Sequence, residues 1–191
     1  MPGSKEETKP AGSVQILLSG SGGQGLILIG IILAAAAIAD GRHAVQTQAY
    51  GPEARGGASR AEVIIGPEYI DYPHVDRPDI MLALTQEACE KYLSSAAEDA
   101  FVIVDSLLVE KVPETAVRVN RLPIVETAKN RLGKEMVANI VALGALNSAT
   151  KLVSWESLEA AVLERVPPAT ADLNRRALEA GRMLIDGQCE G

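Results

Sequence analysis

A glycine-rich turn followed by a long apolar run constrains this chain more than any other feature. Residues 26–39, LILIGIILAAAAIA, contain no charged side chain, so they predict a helix buried between a sheet and a neighbouring element. The run of 14 residues is too short to cross a bilayer. Residues 14–18 (VQILL) and 43–48 (HAVQTQ) have the composition of strands. The segment therefore predicts a right-handed βαβ unit, with the turn at residues 20–25 between its first strand and its helix.

The rest of the chain continues with strands first and helices last. The predicted strands are residues 60–66, 79–84, 101–105 and 116–120, and the predicted helices are a segment from Thr85 and residues 124–133, 135–150, 154–166 and 169–187. Met136, Ile140, Val141 and Leu143 are predicted to form one apolar stripe, and Ser154 is predicted to cap a helix. We predict an α/β fold with three layers: a Rossmann-like, largely parallel sheet, helices on both faces and a helical C-terminal part.

Composition and charge limit the classes of function. Residues 1–12 predict a flexible polar tail without the apolar segment of a signal peptide, and residues 13–191 predict a single α/β domain. The net charge of -7 does not favour non-specific binding to nucleic acid or membranes. Two cysteines, Cys89 and Cys189, are too few for a four-cysteine zinc or iron–sulfur site within this chain, and they fit a reducing cytoplasm.

The glycine loop, residues 20–25 (GSGGQG), has the spacing of a dinucleotide fingerprint in Gly20, Gly22 and Gly25. A nicotinamide site also needs an acidic residue at the end of the second strand, and that strand ends in Gln-Thr-Gln. The residues alone leave two interpretations. The loop binds an anion through backbone N–H groups, or it serves only close packing, with Gln24 bonding backbone carbonyls.

The second loop, residues 50–57 (YGPEARGG), is also rich in glycine. It follows the second predicted strand, so we expect it beside the glycine loop at the edge where open α/β sheets bind ligands. Arg55 followed by Gly56 and Gly57 offers a guanidinium group beside bare backbone. A surface pair between Glu53 and Arg55 is the alternative.

Four motifs occur in a fixed order and together resemble one family. They are GSGGQG at 20–25, YGPEARGG at 50–57, NIVALGAL at 139–146 and NRRALEAG at 174–181. The chain resembles the gamma subunit, or gamma domain, of 2-oxoacid:ferredoxin oxidoreductases. The resemblance implies a complex that decarboxylates a 2-oxoacid on thiamine pyrophosphate, passes electrons through four-iron four-sulfur clusters to ferredoxin and transfers the acyl group to coenzyme A.

The resemblance also implies how the work is divided between subunits. Thiamine pyrophosphate, Mg and the clusters lie on partner subunits: alpha, the thiamine-binding beta and a ferredoxin-like delta. This chain binds no cofactor tightly, provides no catalytic residue and no metal ligand, and contributes to assembly and to the coenzyme A side of the site. The residues assigned to cofactor binding are Gly20, Gly22, Gly23, Gln24, Gly25, Tyr50, Glu53, Arg55, Gly56 and Gly57.

Several alternatives stay open at this stage. Both loops could dock on the thiamine-binding subunit without touching a ligand, or the chain could be purely architectural. A free-standing nucleotide-binding oxidoreductase is the third alternative. Asn139 and Asn174 are interpreted as structural or interfacial, and Asp105 as capping the turn after its strand. The 2-oxoacid could be 2-oxoglutarate, pyruvate, a branched-chain or an aromatic oxoacid, and we favour 2-oxoglutarate.

Overall fold

The computed structural model describes residues 12–49 and 58–187, which form a sheet covered by helices. The strands are β1 (Val14–Ser21), β2 (His43–Ala49), β3 (Ala58–Gly66), β4 (Ile80–Ala83), β5 (Phe101–Asp105) and β6 (Val119–Leu122). The helices are α1 (Leu26–Ala39), α2 (Gln86–Tyr92), α3 (Ile124–Asn130), α4 (Ala138–Thr150), α5 (Trp155–Arg165) and α6 (Ala171–Asp186). Within these described residues, no helix combines the length and the hydropathy that crossing a membrane requires.

The six-stranded sheet has the order β2-β3-β1-β4-β5-β6. Strand β3 pairs antiparallel with both β1 and β2, whereas the β1–β4, β4–β5 and β5–β6 pairs are parallel. The prediction of a largely parallel α/β sheet is confirmed. The predicted βαβ unit is split, because β3 is inserted between the two strands that α1 connects.

The two faces of the sheet are covered unequally. Because successive side chains of β1 point to opposite faces of the sheet, Ile16 and Leu18 lie on the same face. This face is covered by α1, α3, α4, α5 and α6. Leu17 points to the opposite face, where α2 packs together with connecting segments. The predicted three layers are therefore present, but most of the helical mass lies on one side.

Helices α4 and α6 pack closely through two glycines that belong to the sequence motifs. A Cβ atom at Gly144 would overlap the carbonyl oxygen of Leu178, and one at Gly181 would overlap the carbonyl oxygen of Val141. Since these obstacles are backbone atoms, the motif glycines at 144 and 181 are explained by direct backbone contact between the two helices.

The start of α4 differs from the prediction. A short 3-10 turn, Glu135–Val137, precedes the helix, and Met136 in this turn is 80% exposed. Ile140, Val141 and Leu143 are buried as predicted. The predicted stripe was wrong for Met136 because the α-helical period begins only at Ala138.

Asp40 joins the end of α1 to the start of α5. Its carboxylate accepts hydrogen bonds from Ser154 N (2.6 Å), Ser154 Oγ (2.7 Å) and Ser157 Oγ (2.5 Å). Ser154 also accepts the N–H of Ser157 at 3.2 Å, so its predicted role as an N-cap is confirmed.

Candidate functional site

The candidate site lies where the connections of the sheet change direction. From β1 the chain crosses through α1 toward β2, whereas from β4 it crosses through α2 on the opposite face toward β5. Open α/β sheets bind ligands in the crevice at the carboxyl ends of such neighbouring strands. A cavity of about 360 Å³ lies there, lined by Gly23, Gln24, Leu84, Val125, Glu135, Met136, Ala138 and Asn139.

The glycine loop is shaped by the side chain of Gln24. Its Oε1 accepts the backbone N–H of Ser21 at 2.7 Å, which closes the turn after β1. The side-chain oxygen of Gln24 thus binds a backbone N–H group, whereas the sequence analysis expected Gln24 to bond backbone carbonyls. Gly23 and Gly25 have φ values of 89° and 72°, which glycine adopts without strain.

The three glycines of the fingerprint differ in whether the structure requires glycine at their positions. A Cβ atom at Gly20 would overlap Oε1 of Gln24, and one at Gly25 would overlap Nδ2 of Asn139. A Cβ atom at Gly22 would meet no described atom within 4 Å, and Gly22 has no positive φ. Packing therefore accounts for Gly20 and Gly25 but leaves Gly22 unexplained.

The N-terminus of α1 is open to an anion. Among the described residues, no side chain caps this helix and its first turn contains no acidic residue. The N–H groups of such a turn carry partial positive charge. The loop and the first turn of α1 thus provide donors that a phosphate group accepts well.

Asp105 occupies the N-terminus of α3. Its Oδ2 accepts the N–H of Val125 at 2.8 Å, and its Oδ1 accepts those of Leu107 (2.9 Å) and Leu108 (2.8 Å). The predicted capping role of Asp105 is confirmed.

Two buried asparagines bond to backbone, as predicted. Asn174 donates to the carbonyl of Thr170 at 2.9 Å within its own helix. Asn139 donates to the carbonyl of Gly25 at 3.4 Å and so connects α4 with the glycine loop. The sequence analysis did not find this contact, since its partners lie 114 positions apart and no local pattern joins them.

The second loop falls outside the described residues. Its assigned residues are Tyr50, Glu53, Arg55, Gly56 and Gly57. The strands on either side of it are described: β2 ends at Ala49, and β3 begins at Ala58, which is the register partner of Ser21. The end of β2 and the start of β3 therefore lie at the end of the sheet that carries the glycine loop. The role of its residues stays a prediction.

The described strands do not supply the acid of a dinucleotide site. A ribose-binding acid ends the parallel strand beside the first one. Here β3 occupies that place, runs in the opposite direction and begins with Ala58 and Ser59. Among the described residues that line the cavity, Glu135 is the only one with a charged side chain. The insertion of β3 thus weakens the interpretation as a nicotinamide site.

Metal-binding groups are sparse in the described part of the chain. Within residues 12–49 and 58–187, no cluster of three or more His, Cys, Asp or Glu side chains could hold a metal ion. Cys89 is buried, and burial, together with the nearby Glu90, raises the pKa of its thiol. These residues do not fit a metal ion or an iron–sulfur cluster.

Comparison with known proteins defines the class. Residues 15–184 match the family described as pyruvate ferredoxin/flavodoxin oxidoreductase, and the chain belongs to this family. A crystal structure of the gamma subunit of a keto/oxoacid ferredoxin oxidoreductase from Geobacter sulfurreducens is 50% identical, has a TM-score of 0.83 and is matched over 91% of this chain and 99% of that chain. The resemblance to gamma subunits is confirmed.

Two further comparisons are informative. The 2-oxoglutarate synthase subunit KorC of Methanocaldococcus jannaschii is 49% identical over 87% of this chain and 91% of its own length. A 2-oxoglutarate:ferredoxin oxidoreductase from Magnetococcus marinus, with 2-oxoglutarate, coenzyme A and succinyl-CoA bound, has a TM-score of 0.83 at 23% identity. It is matched over 92% of this chain but only 31% of that chain, and at this identity the likeness concerns the fold.

Proposed function

We propose that this chain is the gamma subunit of a complex that converts 2-oxoglutarate to succinyl-CoA. The reaction cleaves the bond between the 2-oxo carbon and the carboxylate, releases carbon dioxide, joins the acyl group to the thiol of coenzyme A and passes the electron pair to ferredoxin. The choice of 2-oxoglutarate is supported by the KorC relative, which is named for that substrate at 49% identity.

The chain has a non-catalytic role in this proposal. Alpha and beta subunits carry thiamine pyrophosphate and Mg, a ferredoxin-like delta subunit and its partners carry the iron–sulfur clusters, and the complex reaches ferredoxin in the cytoplasm. The gamma subunit, a single domain over residues 13–191, completes the assembly and contributes to the coenzyme A side. Two cysteines are too few for a four-cysteine iron–sulfur cluster within this sequence, which supports this division.

The observation that carries the coenzyme A assignment is the open glycine loop before α1. Coenzyme A brings a diphosphate and a 3′-phosphate, which accept hydrogen bonds from uncapped N–H groups. Gly22 borders space in which the described residues place no atom within 4 Å, so backbone there can be approached closely. Arg55, the only cation of the second loop, would pair with a phosphate.

A kinetic experiment on the reconstituted complex tests the assignment. We expect Arg55→Ala to raise the KM for coenzyme A by about tenfold, because it removes one charge-assisted hydrogen bond, with little change in the KM for 2-oxoglutarate. We expect Gly22→Ala to raise the KM for coenzyme A as well, because its methyl group occupies the open space through which a phosphate would approach the backbone. Arg77→Ala is the matched control, because Arg77 is an exposed arginine that lines a different cavity, together with Gln15 and Asp79.

The possible outcomes distinguish coenzyme A binding by the two loops from docking of the loops on another subunit. If the variants leave both the coenzyme A KM and the yield of complex unchanged, the assignment is wrong. If the yield falls while the coenzyme A KM of the remaining complex is normal, both loops serve subunit docking and touch no ligand.

A further inference from the structure

Two amide side chains hold the glycine loop, one near each of its ends. Near the start, Gln24 accepts the N–H of Ser21 at 2.7 Å. At the end, Asn139 on α4 donates to the carbonyl oxygen of Gly25 at 3.4 Å. Between these contacts, a Cβ atom at Gly22 would meet no described atom within 4 Å. The loop is therefore fixed at both ends and open in the middle.

The amide of Asn139 contacts Gly25 directly and is bonded at both of its polar atoms. A Cβ atom at Gly25 would overlap Nδ2 of Asn139, so the amide occupies the space beside that backbone. Its Oδ1 accepts the N–H of Ile140, in the first turn of α4, at 3.0 Å. Asn139 is 7% exposed and lines the candidate cavity. Because this buried amide is bonded to backbone on both sides, it cannot turn away from the loop without losing both bonds.

The carbonyl that Asn139 contacts belongs to the peptide group that opens α1. A peptide group is planar and trans, so its C=O and N–H bonds point in opposite directions. The carbonyl oxygen of Gly25 points along α1, where it also accepts the N–H of Ile29 at 3.1 Å. The N–H of Leu26, in the same peptide group, therefore points out of the N-terminus of the helix. Fixing the carbonyl thus fixes the direction of this donor.

The second motif asparagine, Asn174, shows what a contact within one helix looks like. Asn174 is 6% exposed, almost as little as Asn139, and donates to the carbonyl of Thr170 in its own helical region at 2.9 Å. It lies outside the described lining of the candidate cavity. Gly25, by contrast, has a φ of 72° and no Cβ atom, so its residue type alone leaves several backbone orientations open. The contact from Asn139 selects one of them.

We infer that Asn139 is a positioning residue for the phosphate-binding end of the candidate site. It holds the peptide group between Gly25 and Leu26 so that the N–H of Leu26 faces a phosphate of coenzyme A beside the open backbone at Gly22. Donation to the carbonyl also polarises this peptide group, which strengthens its N–H as a donor. The inference rests on the proposed function, which places those phosphates at the glycine loop, and Asn139 acts there through the backbone of Gly25.

Steady-state kinetics of the reconstituted complex test the inference. The complex is assembled with the wild-type chain, with Asn139→Ala and with Asn139→Asp. The aspartate keeps an oxygen for the N–H of Ile140, but it replaces the Nδ2 donor by an oxygen that repels the carbonyl of Gly25. Asn174→Ala is the matched control, because Asn174 is a buried asparagine that bonds to helix backbone away from the glycine loop. Yield and thermal melting of each complex record its assembly and stability.

We expect Asn139→Ala to raise the KM for coenzyme A by about fivefold, the effect of one weakened hydrogen bond, with little change in kcat or in the KM for 2-oxoglutarate. Asn139→Asp should raise it further, because its negative charge lies beside the phosphate. Asn174→Ala should leave all three kinetic constants close to wild type, whatever it costs in melting temperature. A merely structural role of Asn139 would lower yield or melting temperature and leave the coenzyme A KM of the assembled complex normal.

The remaining outcomes each contradict a different statement. A normal coenzyme A KM for both Asn139 variants, while Arg55→Ala raises it, would overturn the inference and leave the proposed function intact. An equal rise for Asn174→Ala would also overturn it, because stability and not loop geometry would then set the KM. Loss of assembly by both Asn139 variants would assign this residue to assembly and overturn the inference as well. A normal coenzyme A KM for both Arg55→Ala and Gly22→Ala would instead contradict the proposed function itself.

Discussion

The fingerprint glycines are alike in the sequence but differ in what they do in the fold. Gly20 leaves room for the Gln24 side chain, which accepts the N–H of Ser21. Gly22 has no such neighbour among the described residues. A substitution at Gly20 should therefore lower the stability of the fold, whereas a substitution at Gly22 should change function with little effect on stability.

Alanine substitutions at the two positions give the first prediction. Gly20→Ala should lower the free energy of unfolding of the isolated chain by about 1–3 kcal/mol, because Gln24 must leave its place. Gly22→Ala should change it by less than about 0.5 kcal/mol. Urea denaturation monitored by circular dichroism measures both, and equal losses would contradict the account of the loop.

Asp40 predicts how stability depends on pH. Burial by itself raises the pKa of this carboxyl, but hydrogen bonds from Ser157 and Ser154 and the charge of Arg42 outweigh it, so the pKa is lowered from its ordinary 3.8. Because the folded pKa lies below the unfolded one, the stabilisation is present above the unfolded pKa and is lost as pH falls through the folded pKa.

We expect Asp40→Asn to cost about 1–2 kcal/mol at pH 7 and to approach wild-type stability as pH falls below about 4. Denaturation curves at several pH values measure the difference. The control is Asp172→Asn, since Asp172 pairs with Arg176 in an exposed surface ion pair on α6. A cost for Asp40→Asn that does not change with pH would show that its carboxylate charge is not the cause.

At the level of elements, the contact between α4 and α6 is the most sensitive point. Gly181→Ala should lower the free energy of unfolding by about 2–3 kcal/mol, because the new methyl group meets the backbone carbonyl of Val141 and the helices must separate. Gly187→Ala, at the end of the same helix, is the control, and it should have a small effect. Thermal melting that ranks the two variants equally would contradict this packing.

Local patterns predicted most elements because their causes are local. The apolar run predicted α1, and the N-cap residues Thr85 and Ser154 marked the starts of α2 and α5. The place of β3 between β1 and β2 could not be predicted, because strand order depends on pairings between distant residues.

The candidate site was only partly accessible from the sequence. Its motifs indicated the glycine loop and its family, but the cavity depends on Leu84, Val125 and Asn139, which come from three other segments of the chain. The contact from Asn139 to Gly25 needs the whole fold. The misassigned Met136 has a local reason, since a 3-10 turn does not continue the α-helical period.

At the scale of the whole molecule, the protein is acidic, yet it carries a charge-free helix beside its candidate site. A net charge of -7 would repel an acidic partner at long range, so association in the proposed complex depends on burial of apolar surface. We propose that the chain takes part in chemistry only within a larger assembly.

The most direct test of this claim is 2-oxoglutarate-dependent and coenzyme A-dependent reduction of ferredoxin, measured for the full complex, for the complex without this chain and for this chain alone. The account predicts turnover by the full complex, a large loss without this chain and none by this chain alone. Oxidation of a substrate by the isolated chain with only a nicotinamide added, or full activity of the complex without it, would contradict the account.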